Sequence, residues 1–148
     1  MNPHLITVLR YLSLVPSVFF AVYIVKRYAD ALRRRPAITK VDILYEENFA
    51  SGASQKNWMT KIGGARNCLR LVVTKDLLWV TSWFPFGIFA AACDLDHVIP
   101  LDRVTSVQSD RFLRADTLLL TFIDLTGGSH TLRLMPKNRE RFLEAIRR

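Results

Sequence analysis

The densest group of chemistry-bearing side chains in this chain is Cys93-Asp94-Leu95-Asp96-His97. A cysteine and a histidine four residues apart can supply two ligands of a tetrahedral zinc site, with Cys68 or His130 as candidates for the others. A closed structural site needs four ligands, and nothing in the spacing makes these four converge. A polar loop with one small buried cysteine accounts for the same residues, so no metal is expected. The histidines are His4, His97 and His130, and His4 belongs to an apolar N-terminal run. No G-x-S-x-G, phosphate-binding loop or H-E-x-x-H pattern occurs. Gly63-Gly64 and Gly127-Gly128 fall where turns between strands are expected. The pattern points away from catalysis: no catalytic residue and no cofactor is expected, and the chain reads as something other than an enzyme.

The elements that would carry these residues are short and strand-like. Seven runs stand out between turn residues: Val41–Phe49, Gln55–Ile62, Asn67–Thr74, Leu77–Trp83, Arg103–Asp110, Asp116–Asp124 and Ser129–Met135. Ser51-Gly52, Gly63-Gly64, Lys75-Asp76 and Gly127-Gly128 separate them. The sixth run alternates, with Leu118, Leu120 and Phe122 on one face and Thr117 and Thr121 on the other. The segment from Ile99 to Val107 reads as a strand entered through a bend at Pro100. After Met135-Pro136, Phe142, Leu143 and Ile146 form an apolar stripe at helical spacing, which predicts an amphipathic C-terminal helix.

Ahead of these lies LITVLRYLSLVPSVFFAVYIV, Leu5 to Val25, with Arg10 its single charge; KRYADALRRR then carries five cations and one acid. About 20 apolar residues suffice to cross the hydrocarbon core as a helix, and Lys and Arg stay on the cytoplasmic side. The expectation is a single-pass transmembrane helix over residues 1–35, N-terminus outside, then a linker over 36–40 and a cytoplasmic domain over 41–148. A cleaved signal peptide fits less well, because Lys26 and Arg27 stand between the apolar run and Ala29-Asp30-Ala31 and oppose translocation. A buried core helix, interrupted by Arg10 and Pro16, and an interfacial helix, which needs a polar face, fit less well also.

The net charge of +8 is unevenly spread: residues 1–40 carry +6 and residues 41–148 only +2. The basicity is therefore next to the apolar run, which points to anionic lipid headgroups rather than nucleic acid. Lys26, Arg27, Arg33, Arg34 and Arg35 would touch those headgroups. Cys68 and Cys93 make at most one disulfide and are expected as free thiols.

Seven antiparallel strands and a terminal helix, with LRLVVTKDLLWVTSW (69–83), VIPLDRVTSVQ (98–108), LLLTFIDLTGG (118–128) and RERFLEAI (139–146), resemble the pleckstrin-homology-like superfamily, nearest its GRAM and bacterial PH branches. The resemblance covers about residues 41–148. It implies a mostly β fold, a seven-stranded antiparallel, partly open barrel whose end the terminal helix plugs. It also implies lipid contact from the first hairpin, where Lys56, Lys61, Arg66 and Arg70 stand; none forms the basic-x-Arg triplet of inositide-binding members, and Lys56 and Lys61 remain as lipid-contact candidates. The functional expectation is a membrane-anchored binding or scaffold module contacting lipid headgroups or a protein partner. The alternative is an accessory subunit of a larger membrane complex.

One segment fits neither strand nor polar loop. Trp83 to Ala92, WFPFGIFAAA, is dense in apolar residues where solvent exposure is the default for a connection, and Pro85 and Gly87 break strand pairing. Either it folds back as a lid on the core, or Trp83, Phe84, Phe86, Ile88 and Phe89 form an interface with a bilayer surface or a partner.

Overall fold

The structure is a computed structural model that describes the backbone of residues 3–33, 35–62, 64–83, 86–87, 90, 93–112 and 115–147. Side chains are described from Val15 on, apart from Arg27, Ala31, Lys40, Met59 and Ile62. Helix α1 spans Pro3–Arg33. Strand β1 (Ile43–Ser54) follows a single 3-10 turn, Lys40–Asp42. Then come α2 (Trp58–Ile62), β2 (Ala65–Thr74), β3 (Leu77–Ser82), β4 (His97–Pro100), β5 (Val104–Phe112), β6 (Ala115–Ile123), β7 (Ser129–Met135) and α3 (Arg139–Ile146).

The strands form one antiparallel sheet in the order β4-β3-β2-β1-β7-β6-β5, open between its edges β4 and β5. Strand β1 joins the two halves. Its first part pairs with β2, and Ser51–Ser54 pair with β7. The switch needs a bend, which a left-handed Phe49 (φ 70°) and register shifts around Ala50 supply. At Gly52 the sheet closes too tightly for any side chain. A Cβ there would sit 2.9 Å from both the Arg133 carbonyl oxygen and Leu69 Cδ1.

Alternation then builds the core. Leu69, Leu71 and Val73 of β2, Leu78 and Val80 of β3, Ile99 of β4, Leu118, Leu120 and Phe122 of β6, and Leu132 and Leu134 of β7 all belong to one buried cluster. Strands far apart in the order can share a cluster only if the sheet curls over on itself. Helix α3 packs into that cluster through Phe142 and Ala145, with Leu143 and Ile146 partly buried beside them. Asn138 caps α3, its side chain accepting from the Arg141 amide at 3.2 Å.

The seven-strand count matches the sequence expectation, but two assignments inside it do not. Gln55–Ile62 is not a strand: Asn57 Oδ1 accepts from the Thr60 amide at 2.9 Å and Thr60 Oγ1 accepts from the Asn57 amide at 3.1 Å. That reciprocal pair is a capping box and starts α2. The missing strand is β4, only four residues long, which pairs Leu77–Val80 with Pro100–His97. Ser51-Gly52, expected as a turn, lies inside β1.

The transmembrane expectation is overturned. Among the described residues, no helix is long and apolar enough to cross a membrane. Beyond Val25 the helix continues straight into Lys26, Arg27, Asp30 and Arg33. The single-pass membrane localisation, with an outside N-terminus and a cytoplasmic domain, falls with it.

Candidate functional site

Two places in the fold gather side chains with chemical or binding capacity. The first lies where β4 comes round to meet β6 and β7. His97 opens β4, and Phe122 and His130 are paired across β6 and β7. The three rings are mutually in contact: His97 to Phe122 at 5.2 Å and His97 to His130 at 5.7 Å, with Phe122 stacked on His130 at 5.5 Å. Asp94 sits in the turn just before β4, and its carboxylate is shared. Oδ1 lies 3.6 Å from His97 Nε2, Oδ2 lies 3.6 Å from His130 Nδ1, and Oδ2 accepts from the Ser54 hydroxyl at 3.1 Å. Lys56 Nζ approaches the same carboxylate at 3.8 Å.

The outer side of His130 is held by Asp124, whose Oδ2 lies 3.0 Å from Nε2. Asp124 also closes the β6–β7 turn, with Oδ1 accepting from the Thr126 and Gly128 amides at 2.8 Å each. Those hydrogen bonds hold its carboxyl well below the usual range, the Thr126 hydroxyl leading and His130 contributing. His97 Nε2 faces the Asp94 carbonyl oxygen at 2.9 Å. A carbonyl only accepts, so Nε2 carries the proton and the lone pair sits on Nδ1. Burial lowers the His97 pKa, opposed by Asp94.

Of the ligand set weighed from the sequence, the fold thus unites Asp94, His97 and His130. Cys93 instead packs against the core, where burial pushes its thiol pKa up. Among the described residues no three His, Cys, Asp or Glu side chains are grouped to hold a metal. Cys68 and Cys93 are both free. Sequence reasoning missed Asp124 and Phe122 at this place. The signal was available in the pairing of alternating β6 with β7, which sets Phe122 opposite His130.

The second place is the junction of α1 with the segment after β3. Ile24 and Tyr28, one turn apart on α1, are half-buried against the domain. The Tyr28 ring lies over Gly87, where a Cβ would come within 3.1 Å of Tyr28 Cε2. The Arg35 charge reaches Asp96, whose carboxyl burial holds above its usual range against that pull. Lys26 and Arg33, seven residues apart, share the opposite, exposed side of α1.

Trp83 and Phe86 emerge beside this contact, 50% and 53% exposed, while Ala90 and Leu95 are buried in the core. The segment is therefore divided: one side closes on the core and the other presents aromatic surface. Phe84, Ile88 and Phe89 lie outside the described residues, as does Arg34; the Arg27 side chain does too. On α1 itself Val15, Val18, Phe19, Phe20, Val22 and Val25 are all exposed, Phe19 at 72%. Lys56 is drawn to Asp94, and Lys61 is exposed at the end of α2. Arg70 is engaged too, its guanidinium bound to Glu46 at 2.7 Å and lying over the Trp79 ring. Of the four cations of this region, Lys56 and Arg70 are thus engaged by carboxylates, and Lys61 and Arg66 are exposed.

No protein-family model matches the chain, and no curated protein is similar enough to count as a relative.

Proposed function

We propose that this chain is a binding module of PH-like type, not an enzyme, and that it contacts an anionic lipid surface through α1 and the Trp83–Phe86 face. The curled seven-stranded sheet with Phe142 of α3 buried in it supports the PH-like reading. One observation carries the lipid reading: exposed apolar residues up to Val25 give way to exposed Lys26, Arg33 and Arg35, with Trp83 and Phe86 placed beside the changeover by the Tyr28–Gly87 contact. Apolar insertion, aromatic residues at the interface and cations at headgroup level are the three components of surface attachment.

Flotation of the full chain with vesicles tests this. Binding to phosphatidylserine-containing vesicles, weaker in high salt and on pure phosphatidylcholine, is the expected result. Each basic residue near such a surface contributes about 1 kcal/mol, so the triple change Lys26→Gln, Arg33→Gln and Arg35→Gln should weaken binding about a hundredfold. Equal binding to both vesicle types, or none, rejects the lipid reading.

A second reading rests on the apolar residues of α1 being exposed on successive positions around the helix. Helices of a larger complex would cover such a surface, making this chain an accessory subunit. Failure to float, together with a stoichiometric partner retained through mild detergent extraction, would favour it.

A further inference from the structure

The cluster around His97 is not used by the binding surface, and its placement suggests a different role. Strand β4 is an edge strand of four residues, held on one side only by β3. Its other ties to the domain are Ile99, buried in the core cluster, His97 against Phe122 and His130, and, from the preceding turn, buried Leu95 and the Asp94 bond to Ser54. A strand paired on one side only opens at a smaller free-energy cost than strands paired on both.

We propose that this contact is a proton-sensitive closure, in which a proton taken up at His97 Nδ1 releases the Cys93–Asp96 turn and β4 from β3, β6 and β7 while the remaining sheet stays folded. The groups facing His97 are Asp94 at 3.6 Å from its own turn, His130 on β7, and Lys56 beyond the Asp94 carboxylate. Asp124 lies on the far side of His130, and the Arg103 guanidinium donates to the Asp124 carbonyl rather than facing the imidazole. Among the described residues Asp94 is thus the one carboxylate in contact with His97, and it already serves Ser54, His130 and Lys56.

A second proton on His97 creates a cation that must stay in a mostly buried position (its side chain is 16% exposed) between two aromatic rings. Opening returns that cation to water. The sign follows: burial depresses the His97 pKa from 6.5 in the closed form, so the opened form binds the proton more readily. The free energy favouring closure is therefore fully present above about pH 6.5 and weakens as pH falls below it.

Hydrogen exchange on the full chain reads this directly. After correction for the intrinsic pH dependence of exchange, the amides of residues 97–99 should lose protection between about pH 7.5 and pH 5.5. The β1–β2 amides should keep theirs. In His97→Gln the β4 amides should show no such pH-dependent loss. Unchanged protection of β4 in the unaltered protein, or an equal loss in His97→Gln, overturns the proposal. A readout that needs no variant is the NMR titration of the His97 ring. A midpoint below 6.5 accompanied by shifts at Phe122 supports the closure, and a midpoint at or above 6.5 rejects it.

Discussion

Tyr45 on β1 and Phe142 on α3 meet edge to face, with ring centroids 5.4 Å apart and planes at 68°. The Tyr45 hydroxyl donates to Glu47, and Glu47 in turn accepts from the Lys137 amide at 3.0 Å through each carboxylate oxygen. Two residues of one strand therefore fix both the body of α3 and the turn that launches it. An eight-residue helix is too short to be stable alone in water. Its place in the fold comes from this docking and from the burial of Phe142.

Phe142 is fully buried, so Phe142→Ala removes a large core side chain where a short helix gives little room for collapse. The expected loss is about 3–5 kcal/mol, a large share of the 5–15 kcal/mol available to a domain of this size. Urea unfolding followed by tryptophan fluorescence measures it. A loss under about 1 kcal/mol would mean that α3 is not part of the cooperative core.

Burial, then the hydrogen bond and charge of Glu47, raise the Tyr45 pKa well above its free value of 10.0. The folded state thus holds a proton that the unfolded state gives up above about pH 10, and stability should fall as pH rises past that point. Tyr45→Phe abolishes this alkaline dependence while keeping the ring contact with Phe142. Denaturation midpoints at about pH 8 and about pH 11 in the two proteins provide the check. Parallel losses in both would remove Tyr45 as the source.

Gly52→Ala should destabilise by about 1–3 kcal/mol, the usual range for overpacking. The added Cβ meets a backbone carbonyl of β7, which cannot swing aside as a side-chain end can. Gly127 makes the contrast: it has nothing within 4 Å of a built Cβ but sits at φ +85°. Alanine there costs backbone strain alone, about 1 kcal/mol. Thermal unfolding of the two variants should rank Gly52→Ala below Gly127→Ala, and the reverse order would place the β1 crossing wrongly.

The strands legible in the sequence were those with a local signal. In β6 and β7, Leu118, Leu120 and Phe122 alternate with threonines, and Gly127-Gly128 marks the turn. Phe142 at helical spacing in α3 was equally plain. Strand β4 was hidden because four residues ending at Pro100 leave no room for a period to show. The Gln55–Ile62 segment was misread because β-favouring Trp58 and Ile62 outweighed Asn57-x-x-Thr60, a capping box spelled with asparagine in place of the commoner serine. For α1, hydropathy from Leu5 to Val25 suggests a span, yet no helix among the described residues is long and apolar enough to cross a membrane. The His97–His130 meeting could not be read at all. It depends on how far the sheet curls, which brings β4 round to β6 and β7 between residues distant in the sequence.

The division within the Trp83–Ala90 segment gives the last prediction. Ala90 is buried and Gly87 lies under Tyr28, so these positions hold the segment to the domain. Trp83 and Phe86 are half-exposed and contribute little packing that a substitution could remove. Trp83→Ser with Phe86→Ser should therefore shift the melting temperature by only a few degrees, since surface changes stay within about 0.5 kcal/mol each. The same pair should weaken binding of the full chain to phosphatidylserine-containing vesicles, because aromatic side chains favour the bilayer interface. Ala90→Asp is the counterpart: a charge placed in the core cluster should lower the melting temperature sharply. If the double serine variant melts early and binds vesicles normally, the segment belongs wholly to the core and the surface assigned to it does not exist.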